Sequence, residues 1–213
     1  HENEIAQSCC ANNSTKFANY WLHNGYVTFN KEKMSKSLGN IVTIEKMRKT
    51  INGQVIRLAL LSSHYKQPLD WSDELLKNQS KIIDKWYSIY TTDYSEKLPE
   101  CFNELLDDLN TPLYISKLHE LFNQAQDGDK EKIKEFNKAC RLVGLFHQSK
   151  IDRERFKKSK IKISEKQILS KIKEREKAKE SGNYDLADKI RNKLGEEGID
   201  IKDVKDKTIW NYK

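Results

Sequence analysis

Residues 71–90 read WSDELLKNQSKIIDKWYSIY. Within them Leu75, Leu76, Ile82, Ile83, Trp86, Tyr87 and Tyr90 recur every three to four positions, the period of a helix with one apolar face. Such a stripe must be buried against partners, and three more follow it: Phe102, Leu105, Leu106 and Leu109; Tyr114, Leu118, Leu121, Phe122 and Ala125; Ile133, Phe136, Cys140 and Val143. Short connections between four one-sided helices predict an antiparallel helical bundle over 75–149. Thr111 is the expected cap of the third helix, with Pro112 at its first position, where a missing N–H does no harm.

Upstream, Val55, Ile56, Leu58, Ala59, Leu60 and Leu61 make a nearly all-apolar helix that must lie between other elements, and Pro68 forbids its continuation. Thr43 is a plausible cap for a short helix carrying Ile44 and Met47, so 41–74 reads as a helical connection. Phe17, Tyr20 and Trp21 fall at helical spacing and are expected in the core, as are Cys9 and Cys10. Between strand-like Gly25–Phe29 and Thr43 lies Lys33-Met34-Ser35-Lys36-Ser37-Leu38-Gly39-Asn40. Two flexible cations, two hydroxyls and backbone donors near a glycine suit a phosphate-gripping loop. A solvated basic loop fits the same composition, and the single glycine after the lysines is not the Gly-rich Walker arrangement.

Downstream, seven of the thirteen residues from Lys150 to Lys162 are Lys or Arg, which predicts a mobile basic linker over 150–163. Ser164 and Gln167 form a capping-box pattern ahead of Ile168, Leu169 and Ile172. After Gly182-Asn183 a second helix carries Leu186, Ile190 and Leu194 and stops at Gly198. Ile199–Val204 alternates like a strand, with Thr208-Ile209-Trp210 as its hairpin partner. The expected fold is mainly α, closing in a small α+β module over 164–213.

Composition narrows the function classes. Of 213 residues 37% are hydrophobic and 33% charged, a balance for slender helical layers with large wetted surfaces. The net charge of +7 is localised: Lys+Arg and Asp+Glu number 19 each up to Ser149, but 20 and 13 from Lys150 onward. A localised basic surplus suits a polyanion, most often nucleic acid. Cys9, Cys10, Cys101 and Cys140 form no CxxC pair, which points to a reduced, cytoplasmic setting. No apolar run is long enough for a membrane span. A chain opening at His1 is expected to be a piece of something longer.

Lys33-Met34-Ser35-Lys36-Ser37 matches the KMSKS signature of class I aminoacyl-tRNA synthetases. His1-Glu2-Asn3-Glu4-Ile5-Ala6-Gln7-Ser8, Tyr20-Trp21-Leu22-His23-Asn24-Gly25, His64-Tyr65, Asp107-Asp108-Leu109-Asn110-Thr111-Pro112 and Ala187-Asp188-Lys189-Ile190-Arg191 through Trp210 extend the likeness in order. The whole chain therefore resembles the carboxy-terminal portion of bacterial cysteinyl-tRNA synthetases. The resemblance implies that 1–40 ends a class I nucleotide-binding catalytic domain, that 41–74 contacts the tRNA stem and that 164–213 reads the anticodon. It implies ATP-dependent cysteinyl-adenylate formation, then transfer of cysteine to tRNA-Cys, by a cytoplasmic, probable-monomer class of enzyme with no membrane partner.

The resemblance also assigns residues. Lys33 and Lys36 take catalytic roles, and Lys33, Met34, Ser35, Lys36 and Ser37 bind ATP with Mg. Zinc in the full-length family selects the cysteine thiolate, a softer ligand than a serine oxygen. Glu4 matches one of its ligands and the others lie outside the chain, so no bound metal is expected here. Lys179, Tyr184, Asp188 and Asp203 match anticodon-reading positions, although Lys207-Thr208-Ile209-Trp210-Asn211 departs from the usual Gly-Thr-Thr-Trp-Arg ending. This portion is expected to be inactive alone. Two other readings remain: a non-catalytic tRNA-binding module, and a cysteine ligase acting on an amino-sugar acceptor, against which the basic terminal module counts. In the full-length protein, Lys36→Ala is expected to slow cysteine-dependent ATP–pyrophosphate exchange about a hundredfold at saturating substrates. Unchanged exchange removes Lys36 from the reaction.

Overall fold

The stripe beginning at Trp71 forms the longest helix of the first half of the chain. The computed structural model describes residues 1–213 apart from Ser35, Lys36, Leu38, Asn40, Lys205, Asp206 and Lys213. In chain order the elements are α1 (Glu2–Asn12), β1 (Val27–Phe29), β2 (Glu32–Lys33), α2 (Ile44–Arg48), α3 (Gly53–Leu61), β3 (Leu69–Trp71), α4 (Asp73–Trp86) and α5 (Asn103–Leu106). They continue with α6 (Thr111–Ala125), α7 (Lys130–Leu142), α8 (Lys150–Ser159), α9 (Glu165–Glu180), α10 (Tyr184–Glu196), β4 (Ile199–Val204) and β5 (Lys207–Tyr212). The chain is mainly helical with two small sheets, in the orders β2-β1-β3 and β4-β5.

Local chemistry sets several boundaries. The Ser72 hydroxyl accepts from Leu75 N–H at 3.2 Å, and Asp73 and Glu74 favour the positive end of the α4 dipole. Thr43 caps α2, and Ser164 with Gln167 forms the full reciprocal capping box of α9. In α3, Val55, Ile56, Leu58 and Ala59 are buried, while Leu60 faces out.

Helices α3, α4, α6 and α7 share the larger core. Leu58, Ile83, Trp86, Tyr114, Leu118, Phe122, Phe136 and Phe146 are almost wholly removed from water. Burying one such side chain contributes about 1.5–3 kcal/mol. Phe136 meets Trp86 edge-on at 5.6 Å between ring centroids and Phe146 at 5.7 Å. One polar side chain organises this apolar space. Gln54 donates to the Tyr87 hydroxyl at 2.7 Å and accepts from Phe146 N–H at 2.6 Å, tying α3 to the end of α4 and to the segment after α7.

Five expectations need correction. The second apolar stripe is not a full helix: a 3-10 turn at Glu100–Phe102 runs into the four-residue α5, and Leu106 and Leu109 are 70% and 53% exposed. Asp108 and Leu109 adopt left-handed backbones (φ 50° and 54°), which a helix cannot run through. Asn110, not Thr111, caps α6 by accepting from Leu113 N–H at 3.2 Å. Phe17, Tyr20 and Trp21 lie on the surface, because residues 15–26 form no helix that could aim them inward. Cys9 is half-buried and Cys10 exposed, whereas Cys101 and Cys140 are buried.

The fifth correction concerns 150–163. Instead of a linker, this stretch carries α8, capped by Ser149, whose hydroxyl accepts from Asp152 N–H at 3.1 Å. Arg153 is buried and forks onto one oxygen of Asp84 in α4, at 3.0 Å from Nε and 2.7 Å from Nη2. Lys157 reaches the same oxygen at 2.7 Å and also donates to the Tyr212 carbonyl at 3.3 Å. Thus α8 links the larger core to a second one, made by Ile168, Ile172, Ile190, Leu194, Ile199 and Ile201 of the terminal module. Because removing the acceptor strands a buried guanidinium, Asp84→Ala is expected to destabilise the protein by roughly 2–3 kcal/mol. Denaturant unfolding checks this, and Arg153→Met should lose less.

Candidate functional site

The signature stretch leaves from a small, well-braced hairpin. Thr28 pairs with Lys33 and Phe29 with Glu32 across β1 and β2, while β1 runs parallel to β3 with Val27, Thr28 and Phe29 beside Leu69, Asp70 and Trp71. Asn30 and Lys31 form the turn with φ 51° and 67°, the left-handed pair that a two-residue hairpin requires. The Asp70 carboxylate accepts from the Thr28 hydroxyl and Lys31 N–H, both at 2.6 Å. Those two donors hold its carboxyl below the usual carboxylate range. Asn30 N–H donates to the Trp71 carbonyl at 3.1 Å, and Gly25 N–H to that of Tyr65 at 2.7 Å. A Cβ at Gly25 would fall 2.2 Å from the Gln67 oxygen, so only glycine allows this approach.

Lys33 therefore closes β2 with its position set by the hairpin register. Lys33 and Ser37 are exposed, Met34 is half-buried and Gly39 takes φ 66°. Ser35 and Lys36 lie outside the described residues. Next to the hairpin the structure unites two stretches that the sequence left without a role. The Asp108 carboxylate accepts from the Tyr65 hydroxyl at 2.6 Å and from Lys66 Nζ at 2.5 Å.

At the far end of the chain, Asp203 on β4 is gripped by four donors. Arg175 forks onto both oxygens at 2.8 Å each, Lys179 reaches Oδ2 at 2.7 Å and Thr208 reaches Oδ1 at 3.0 Å. Arg175, foremost, and Lys179 hold the Asp203 carboxyl well below the usual range. Arg175 was not singled out by sequence, though its place on the buried α9 face with Ile168 and Ile172 was the available signal: a cation there needs a partner. Of the anticodon-like residues the structure brings Lys179 and Asp203 into contact. Tyr184 and Asp188 stand one turn apart on α10, both exposed, and the Asp188 charge adds to that of Asp203 in favouring the Arg175 cation.

Comparison with known proteins gives this arrangement a context. Residues 1–81 match the family described as tRNA synthetases class I (C) catalytic domain. A cysteine–tRNA ligase of Pelagibacter ubique is 48% identical across 100% of this chain and 48% of its own length. Those of Rickettsia canadensis and Afipia carboxidovorans are 40% and 38% identical across 99% of the chain, and 47% and 46% of their own. The chain is thus similar to these cysteine–tRNA ligases along its whole length. It spans about half the length of these relatives.

The resemblance implies a zinc site near Glu4, and the residues in hand do not fit it. His1 Nδ1 stands 3.8 Å from Glu4 Oε2, and no third His, Cys, Asp or Glu among the described residues joins them in a metal-holding group. No described helix is long and apolar enough to cross a membrane.

The grip on Asp203 has a pH signature. Its folded carboxyl is depressed, so the stabilisation is complete above the unfolded value of about 3.9 and is lost progressively as pH falls below it. Thermal unfolding followed at Trp210 is expected to be level from neutral pH down to about pH 5 and to fall below about pH 4, with a shallower fall in Asp203→Asn.

Proposed function

We propose that this chain is the carboxy-terminal portion of a cysteine–tRNA ligase, using ATP with Mg to activate cysteine and then esterifying tRNA-Cys. The observation that carries this reading is similarity to ligases of that name along the whole chain. In the first step cysteine carboxylate attacks the α-phosphate and pyrophosphate leaves, so negative charge grows on the phosphate oxygens. Lys36 is assigned the contact that strengthens in the transition state. Lys33, fixed at the end of β2, anchors the phosphates. The braced hairpin supports this role, because a charge delivers most when its position needs no rearrangement during reaction.

The helical bundle and the terminal module are assigned to the tRNA. Exposed Lys150, Arg155, Lys158, Lys160 and Lys162 supply positive charge along and beyond α8. Tyr184 offers an open ring for stacking on an unpaired base. Asp203 is a base acceptor only after giving up a present donor, and with Arg175 buried the donors that solvent can reach are Lys179, 38% exposed, and the half-buried Thr208. Recognition there is therefore an exchange of donors rather than the filling of a vacancy. Four free cysteines accord with a cytoplasmic setting.

The full-length protein is expected to charge tRNA bearing a GCA anticodon with cysteine, and to lose most of that activity when the anticodon is changed. Cysteine transfer to an amino sugar in place of tRNA would overturn the assignment, as would tRNA binding without any charging.

A further inference from the structure

Three consecutive side-chain-bearing residues after α3 converge on one acidic residue after α5. Tyr65 and Lys66 hold the two carboxylate oxygens of Asp108 at 2.6 and 2.5 Å. His64 Nε2 lies 3.0 Å from the Asp108 main-chain oxygen, while its Nδ1 accepts from Lys66 N–H at 3.3 Å. That acceptance leaves the proton on Nε2, where it points at Asp108. Thr111 adds a hydroxyl bond to the Ser63 carbonyl at 3.4 Å. The whole 63–66 segment is thus fastened to the turn that starts α6.

The cluster is exposed: the Asp108 and Lys66 side chains are 50% and 52% accessible. Exposed ion pairs add little to stability. Asp108 and Leu109 meanwhile hold consecutive left-handed backbones, which work against it in residues that are not glycine. A strained turn kept in place by a surface clamp delivers geometry more than stability. What it positions follows from the backbone. The Tyr65 carbonyl receives Gly25 N–H at 2.7 Å, Leu69 N–H reaches the Tyr26 carbonyl at 3.0 Å, and β1 then carries β2 and Lys33.

We propose that Asp108 is a positioning residue for the ATP-consuming step: its grip on His64, Tyr65 and Lys66 sets where the Lys33 hairpin stands relative to the helical half. This rests on the ligase reading for its kinetic consequence, though not for its structural one. Asp108 touches no reacting atom. It acts through Tyr65 and Gly25 on the hairpin, and it offers a route by which a load on α6 alters the placement of Lys33.

The test uses the full-length protein with Asp108→Asn, which keeps the shape and removes the charge, and Tyr65→Phe, which removes a single arm. Hydrogen exchange of amides from Val27 to Lys33 is expected to quicken severalfold in Asp108→Asn and less in Tyr65→Phe. The kcat of cysteine-dependent ATP–pyrophosphate exchange should fall about tenfold, as expected for a slightly misplaced charge, with the KM for cysteine unchanged and partial recovery in Asp108→Glu. Unchanged hairpin exchange in both variants overturns the proposal, and so does an unchanged kcat. Absence of cysteine-dependent exchange in the wild type defeats the ligase reading instead, while hydrogen exchange still decides the positioning role.

Discussion

Trp71 belongs at once to the hairpin sheet and to the larger core. Its indole is almost wholly buried in the larger core, and its main-chain carbonyl receives Asn30 N–H at the hairpin turn. The placement of Lys33 rests on that residue and its neighbours in β3, together with the bond from Gly25 N–H to the Tyr65 carbonyl. The strand is only three residues long, so without the buried indole it would have little to hold it flat against β1. Aromatic packing around Phe136 and Phe146 thereby supports a polar site that none of those rings touches.

A second constraint governs the far end. The terminal module has a core of its own, against which Ile161 and Ile163 pack, and Lys157 of α8 reaches it through the Tyr212 carbonyl. Asp84 engages both Arg153 and Lys157, so two cations of the basic stretch face inward and neutralise an acid instead of meeting a polyanion. The charge surplus read from composition therefore overstates the positive surface, and within this stretch the exposed residues at 150, 155, 158, 160 and 162 carry what remains of it.

Legibility in the sequence followed the range of the interaction. Capping by Thr43, Ser72 and Ser164 and the Ile199–Val204 hairpin depend on residues a few positions apart, and pattern reading found most of them. Gln54 with Phe146, Arg153 with Asp84 and Arg175 with Asp203 join residues 92, 69 and 28 positions apart, where only a polar residue on an apolar face hints at a partner. Phe17, Tyr20 and Trp21 show the opposite failure: the spacing was helical, yet periodicity cannot say whether an element exists to receive it. The signature loop was legible as a five-residue string, while its bracing by Asp70, Gly25 and the Asp108 clamp was not, since each partner arrives from elsewhere in the chain.

The turn at Asn30-Lys31 has a consequence for how this site tolerates change in length. Strand side chains alternate faces, so a slip of one residue in the pairing of β2 with β1 would turn Lys33 to the opposite side of the sheet. The tip of the hairpin acts as a parity lock. The pairing that the Asn30-Lys31 turn fixes, Phe29 with Glu32 and Thr28 with Lys33, decides which way the lysine looks.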